Sequence, residues 1–496
     1  AGAFAEPEIL SVSEEKIHEM IEQTDGLKMY ERAIGEVRRL KDHILDRQTE
    51  QLLAMAQEMA NTPHDIFSMF NEADLTFPPA VDENGKEHPV THGTFIPLLQ
   101  SSDRTLRKNV FYSLYDTLKG FENTAAAMIF GQVKQLSFFA TARKYDSSIE
   151  AALAQNNVPL SVYENLIEAV HEKMPVMHRY VALRKKMLGL DELHMYDLYT
   201  PIVSDTPLVV MFEQAKEEVK ETVRVFGEEY ASVIDRAFEE RWIDIYENKG
   251  KRSGAYSSGC RVHPYILLNY SDTLDSEFTL IHELGHSMHS YLSNQNQPIV
   301  DADYVIFVAE VASTCNEALL MQHLLKKTDD PGKRAYLINY FLEQFRSTVY
   351  RQTMFAEFER EIGKMAKDGV SLTADVLKKL YHDLNVCYYG TDVIVDEAID
   401  MEWARIPHFY YNYYVYQYAT GFAAAIALSK RILEGGEEAV RDYLEFLSGG
   451  CSMAPIDLLK HAGVDMTGKE PVLEALELFD SLITQLEELM MPEAKK

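Results

Sequence analysis

Phe278-Thr279-Leu280-Ile281-His282-Glu283-Leu284-Gly285-His286-Ser287-Met288 reads as an apolar helix into which three polar side chains, His282, Glu283 and His286, are set. Positions four apart on a helix share a face one turn away, so His282 and His286 can present two imidazoles to one ion while Glu283 sits beside it. This is the H-E-x-x-H arrangement of two metal ligands plus a general base for metal-bound water. With 16 histidines in 496 residues, a chance occurrence has a probability on the order of a few per cent, so the context matters. Burying three polar groups in an apolar helix without partners is costly, which favours a ligand over ordinary core histidines held by hydrogen bonds. His289 lies on roughly the same face as His286 and is read as a supporting or packing group rather than a ligand.

A tetrahedral catalytic zinc needs three protein ligands and one open position. The His-x-x-Gly-x-x-His continuation is excluded, because position 289 is histidine where glycine is required and position 292 is leucine where the third histidine would stand. A carboxylate from a later helix is the remaining standard solution. In Ile306-Phe307-Val308-Ala309-Glu310-Val311-Ala312-Ser313 one acid interrupts an apolar helical run, which is expensive unless the charge is paired or metal-bound. Glu310 is therefore the expected third ligand. Glu317, two turns further along the same face, competes for the role or else orients a ligand.

Outward from this motif, apolar residues at three- and four-residue spacing predict a mainly α chain. Helices are expected at about Glu14–Ala60, Asp103–Tyr145, Leu160–Gly189, Thr206–Val233, Ser276–Ser293, Tyr304–Lys327, Gly332–Lys367, Ala374–Tyr388, Pro407–Gly435 and Pro471–Leu489. Two stretches break the pattern. Leu75–Phe95, with three prolines and an Asn84-Gly85 turn, reads as a surface hairpin separating an N-terminal helical portion, 1–91, from a main body, 92–496. Asn248–Tyr270 reads as a glycine-rich loop, Gly250, Gly254 and Gly259, leading into a strand at Tyr265-Ile266-Leu267-Leu268-Asn269-Tyr270 beside the metal helix.

The length calls for two or three packed lobes. A balance of 48 Lys+Arg against 78 Asp+Glu, net charge −30, sets up a field that repels phosphate backbones and anionic lipid, so no nucleic-acid or membrane partner is expected. The four cysteines, Cys260, Cys315, Cys387 and Cys451, are widely spaced without a C-x-x-C pair, which fits a reducing compartment. No stretch has the length of a membrane span, and the acidic opening lacks the features of a signal peptide, so the expected location is cytoplasmic.

Six tyrosines, Tyr410, Tyr411, Tyr413, Tyr414, Tyr416 and Tyr418, fall within nine residues of a chain that has 28. If Pro407 opens a helix, His408, Tyr411 and Tyr418 share a face with Tyr414 at its margin. Such a face could donate to a developing oxyanion. The residues alone favour an aromatic core stripe.

Taken together, these segments resemble the thimet oligopeptidase and oligoendopeptidase F family of zinc metallopeptidases, with oligoendopeptidase F the nearer group. The resemblance rests on IHELGHSMH (Ile281–His289), FVAEVASTCN (Phe307–Asn316), HFYYNYYVYQYATG (His408–Gly421), SGAYSSG from Ser253 and PYILLNYSDTLDSEF from Pro264. It implies a helical bowl or clam with a deep substrate channel that admits short flexible peptides, one zinc ion per chain on His282, His286 and Glu310, and Glu283 as base. It also implies that the glycine-rich loop and its strand line the cleft, where an edge strand holds extended peptide. It turns the reading of His408 and Tyr418 toward oxyanion donors and leaves Tyr411 between the two readings. The chain is read as starting late relative to that family. The expected activity is internal cleavage of oligopeptides. The alternatives are a dipeptidase or carboxypeptidase and, outside enzymes, an acidic helical peptide-binding protein, which would have no use for Glu283.

Overall fold

Each segment with helical periodicity contains helix in the structure, a computed structural model that describes residues 2–203 and 208–491. Several of the longer segments are divided into shorter helices by caps, glycines and prolines. Glu14–Ala60 divides into Glu14–Gln23, Glu31–Arg39 and Arg47–Ala60, the last capped by Asp46, whose carboxylate accepts from the N–H groups of Gln48 and Thr49. Leu160–Gly189 divides at Lys173, ahead of Pro175, into Leu160–Glu172 and Met174–Met187. The segment expected from Thr206 opens outside the described residues. Within the described residues it forms Phe212–Val223 and Glu228–Glu239, parted at Gly227, whose φ of +90° lies in a region that penalises any side chain.

The sheets are small. Ala80–Val81 pairs antiparallel with Glu87–His88 about Gly85, forming the hairpin that Asn84-Gly85 signals. A second pair, Leu193–His194 parallel to Val393–Ile394, has no periodicity long enough to read. In the third sheet, Tyr265–Leu267 lies between Ile243–Asp244 and Tyr256–Ser258, so the strand expected from Tyr265 is real but half the predicted length. Tyr256–Ser258 is its outer strand, and the Ser257 hydroxyl lies 2.8 Å from the Ser287 hydroxyl, which ties this edge to the motif helix.

Three long helices build the centre. The motif helix Leu274–Asn296 is opened by Thr273, whose hydroxyl accepts from the Ser276 N–H, and it packs on Ile306–Lys327, which packs in turn on Tyr416–Leu447. Leu280, Ile281, Leu284, Val308, Val311, Ala419 and Ala423 are completely buried between them. The first two helices approach so closely that a Cβ added to Gly285 would lie 2.6 Å from the Ser313 Cα. The third runs past Gly435, where periodicity ends it, to Leu447 through a kink at Gly436 (φ +64°). Among the described residues no helix is long and apolar enough to cross a membrane.

Candidate metal centre

His282 and His286 project from one face of the motif helix, and Glu310 meets them from the second helix. His282 Nε2 and His286 Nε2 are 3.2 Å apart, and Glu310 Oε2 is 3.3 Å from the former and 3.5 Å from the latter. A tetrahedral ion about 2.0–2.1 Å from each donor needs donor separations of about 3.3–3.4 Å, so these two nitrogens and one oxygen fit a zinc-sized ion with one side left open. Among the described residues they are the one group of three or more His, Cys, Asp or Glu side chains that converges this tightly.

The surrounding groups hold the cradle in shape. Glu317 does not enter it: its Oε1 lies 2.5 Å from His282 Nδ1, and its Oε2 accepts from the Gln344 amide at 2.8 Å. This carboxylate fixes the tautomer and tilt of the ring and leaves Nε2 free for an ion. Burial alone would lower the His282 pKa, but hydrogen bonds and charge from Glu310 and Glu317 overcome it and hold the group at about 10. Ser313 Oγ donates to Glu310 Oε2 at 3.2 Å. His289 points away into the core, stacked on Tyr304 at 3.6 Å, where burial lowers its pKa to about 3.

Glu283 is 6% exposed, and its Oε2 has no hydrogen-bond partner among the described residues. Burial raises its pKa, the two imidazoles oppose the rise, and the Ser257 N–H of the outer strand also lowers it. A carboxylate made more basic, with one oxygen left without a partner beside an ion cradle, is equipped to accept a proton.

The aromatic segment differs from the expected helix. Pro407–Tyr410 forms a single 3₁₀ turn, Asn412 and Tyr413 adopt left-handed backbone (φ +58° and +56°), and regular helix begins at Tyr416. Left-handed backbone costs a residue with a side chain about 1–2 kcal/mol, least for asparagine. His408 and Tyr418 nevertheless meet, with Nε2 3.2 Å from the hydroxyl, through a folded-back turn rather than a shared helical face. Gly421, three residues after Tyr418, sets its helix against Glu310, where an added Cβ would stand 3.9 Å from the Glu310 Cβ. Burial raises the Tyr418 pKa, with Tyr414 and Glu310 reinforcing it, so this phenol keeps its proton; burial lowers that of His408.

Tyr411 is 47% exposed, its ring 5.5 Å from that of His408. Tyr414, which a straight helix places at the margin, is central instead: it stacks on His408 at 5.9 Å and meets Tyr418 edge-on at 5.2 Å. Gln344 also escaped sequence reading, since it approaches from a distant segment with no spacing to betray it; Ser257 falls within the SGAYSSG stretch, but no role was read for it.

Two imidazoles and a carboxylate converging beside a buried glutamate, on adjoining helices of a mainly helical body, match the arrangement a metallopeptidase requires. A family model described as Peptidase family M3 matches residues 97–478, and one described as Oligopeptidase F matches residues 8–77. Oligopeptidase PepF of Bacillus subtilis (strain 168) is 49% identical over 492 residues, covering 99% of this chain and 73% of that protein. Among solved structures, oligoendopeptidase F from Enterococcus faecium superposes with a TM-score of 0.84 at 39% identity, over 99% of this chain and 84% of that one. A peptidase from Chlamydophila abortus gives 0.91 at 37% identity, over 98% and 82%. The chain belongs to peptidase family M3, in its oligoendopeptidase F group.

Proposed function

We propose that this enzyme cleaves internal bonds of short unstructured peptides using one zinc ion held by His282, His286 and Glu310, with Glu283 as general base. Endopeptidase action on oligopeptides accords with its family membership. The observation that carries the mechanism is the buried, unpartnered Glu283 oxygen next to a three-donor cradle of zinc dimensions. When bound, zinc supplies Lewis acidity, bringing the pKa of water toward about 7 and polarising a carbonyl. Glu283 takes the proton of the attacking water and returns it to the leaving amine. Glu317, braced by Gln344, keeps His282 oriented through the cycle. The Tyr418 hydroxyl and the His408 imidazole donate to the oxygen that becomes negative as the carbonyl turns tetrahedral, with Tyr411 at the rim of the same group. The outer strand Tyr256–Ser258 offers main-chain groups to an extended peptide.

The substrate enters a deep channel in a bowl of helices, which restricts access to flexible chains. We take 1–91 as a helical portion set against the body 92–496, a division supported by the separate matches to 8–77 and 97–478. Four unpaired cysteines, two of them exposed, support a cytoplasmic setting.

Two measurements test this reading. Incubated with one protein in native and unfolded forms, and with a mixed library of flexible peptides, the enzyme is expected to cut peptides of several to about twenty residues at internal bonds and to spare the native form. Mass spectrometry of the products shows this directly; efficient digestion of the native form contradicts the channel. Tyr418→Phe keeps the ring and deletes the donor, so kcat should fall roughly 10²- to 10³-fold with little change in KM. A Tyr418→Phe enzyme with bound zinc and full kcat would make this tyrosine a packing residue.

A further inference from the structure

The left-handed turn at Asn412-Tyr413 reverses the chain between His408 and Tyr418, and it is held from outside. Glu359, on the helix Arg351–Lys367, is 5% exposed, and its Oε1 accepts the Tyr413 N–H at 3.2 Å. Among the described residues its Oε2 has no partner and no cation answers the carboxyl. One turn on, a Cβ at Gly363 would collide with the Tyr413 hydroxyl, so the absent side chain makes room for that phenol. From the helix Ser148–Ala154, the Ser148 hydroxyl lies 2.8 Å from the same oxygen. Three groups on two helices thus fix a tyrosine in a backbone region that tyrosine disfavours.

An isolated buried acid is expensive, and the reaction as described makes no use of it. We propose that Glu359 is a positioning residue: as acceptor for the Tyr413 N–H it holds the Asn412-Tyr413 turn in the shape that brings His408 and Tyr418 together. The proposal rests on the reading of His408 and Tyr418 as oxyanion donors. What the turn requires is a carbonyl-type oxygen rather than a charge. Burial pushes the Glu359 carboxyl up to about 8, so near neutral pH it is mostly the uncharged acid, close in shape and hydrogen bonding to glutamine. Without that oxygen Tyr413 relaxes to negative φ, the reversal opens, and the two donors separate while the metal cradle stays as it is.

The test measures kcat and KM for an internally quenched unstructured peptide, with zinc content and thermal unfolding of each variant in parallel. Glu359→Gln is expected to stay within about twofold of the parent in kcat, and Glu359→Ala to lose at least about tenfold in kcat with KM and zinc content preserved. Because both act on one group of donors, the loss from combining Glu359→Ala with Tyr418→Phe should be smaller than the product of the two single losses. Should Glu359→Ala fail to fold, Gly363→Ala displaces the Tyr413 phenol from the same side and should likewise lower kcat. Normal kcat in whichever of Glu359→Ala and Gly363→Ala folds, equal losses in Glu359→Gln and Glu359→Ala, or multiplicative losses in the double variant would each overturn the proposal. If Tyr418→Phe falls while Glu359→Ala does not, only the positioning role fails; if Tyr418→Phe is normal, the donor reading fails and the positioning role with it.

Discussion

Glu283→Gln should fold normally, keep its metal and lose roughly 10²- to 10⁴-fold in kcat, because the amide retains the shape of the side chain and cannot accept a proton. The substitution is conservative in this environment. The side chain is nearly buried, one of its oxygens has no partner, and its pKa already leans toward the neutral form, so an uncharged replacement relieves burial instead of adding to it. Thermal stability should therefore hold or rise slightly while turnover collapses. The result that sinks the assignment is a near-normal rate in a zinc-loaded Glu283→Gln enzyme, which would place the base elsewhere.

The second large effect separates the metal from the base. Exhaustive chelation should abolish peptidase activity, and returning about one zinc per chain should restore it, because the three converging donors would form a single catalytic site in the proposed mechanism. Glu310→Ala should lose both activity and metal, in contrast to Glu283→Gln, which loses activity alone. Elemental analysis of the dialysed variants reads the difference. Full activity after chelation, or metal retained with normal turnover in Glu310→Ala, would remove the cradle from the mechanism. The helix pair should survive in Glu310→Ala, since Leu280, Ile281, Leu284, Val308 and Val311 are completely buried and keep their side chains.

The convergence of His282, His286 and Glu310 was legible because it depends on short-range periodicity: two residues four apart on one helix, and one acid in an apolar run that had to find a partner. Glu317 was legible as a residue of one of two kinds, and only the position of the facing helix decided that it contacts His282 Nδ1. The aromatic segment was not legible in its path. Pattern predicts helix from Pro407, and nothing in Asn412-Tyr413 announces consecutive left-handed residues, since tyrosine disfavours that region and is held there by Glu359, Ser148 and the space at Gly363, all distant in sequence. Tyr414 was misplaced for the same reason: its face was deduced from a helix that does not exist. The long helices were found but not their interruptions, and the two-residue strand pairs are too short to carry any period.

The contact at Gly285 bears on which ions the enzyme can tolerate. His282 and His286 stand on one helix and Glu310 on the other, so the distance between the helix axes sets the aperture into which an ion must fit. That distance is limited by a Cα and a missing side chain, with the Ser313 backbone close enough that even a methyl group would force the helices apart. Prising them open would lengthen the nitrogen–oxygen separations while leaving the nitrogen–nitrogen separation, internal to one helix, as it is. An aperture stretched along one edge departs from the tetrahedral spacing that zinc at about 2.0–2.1 Å requires. In the proposed zinc site the fit of the ion would thus depend partly on a residue outside the donor set, and Gly285→Ala is expected to weaken zinc binding with all three donors intact.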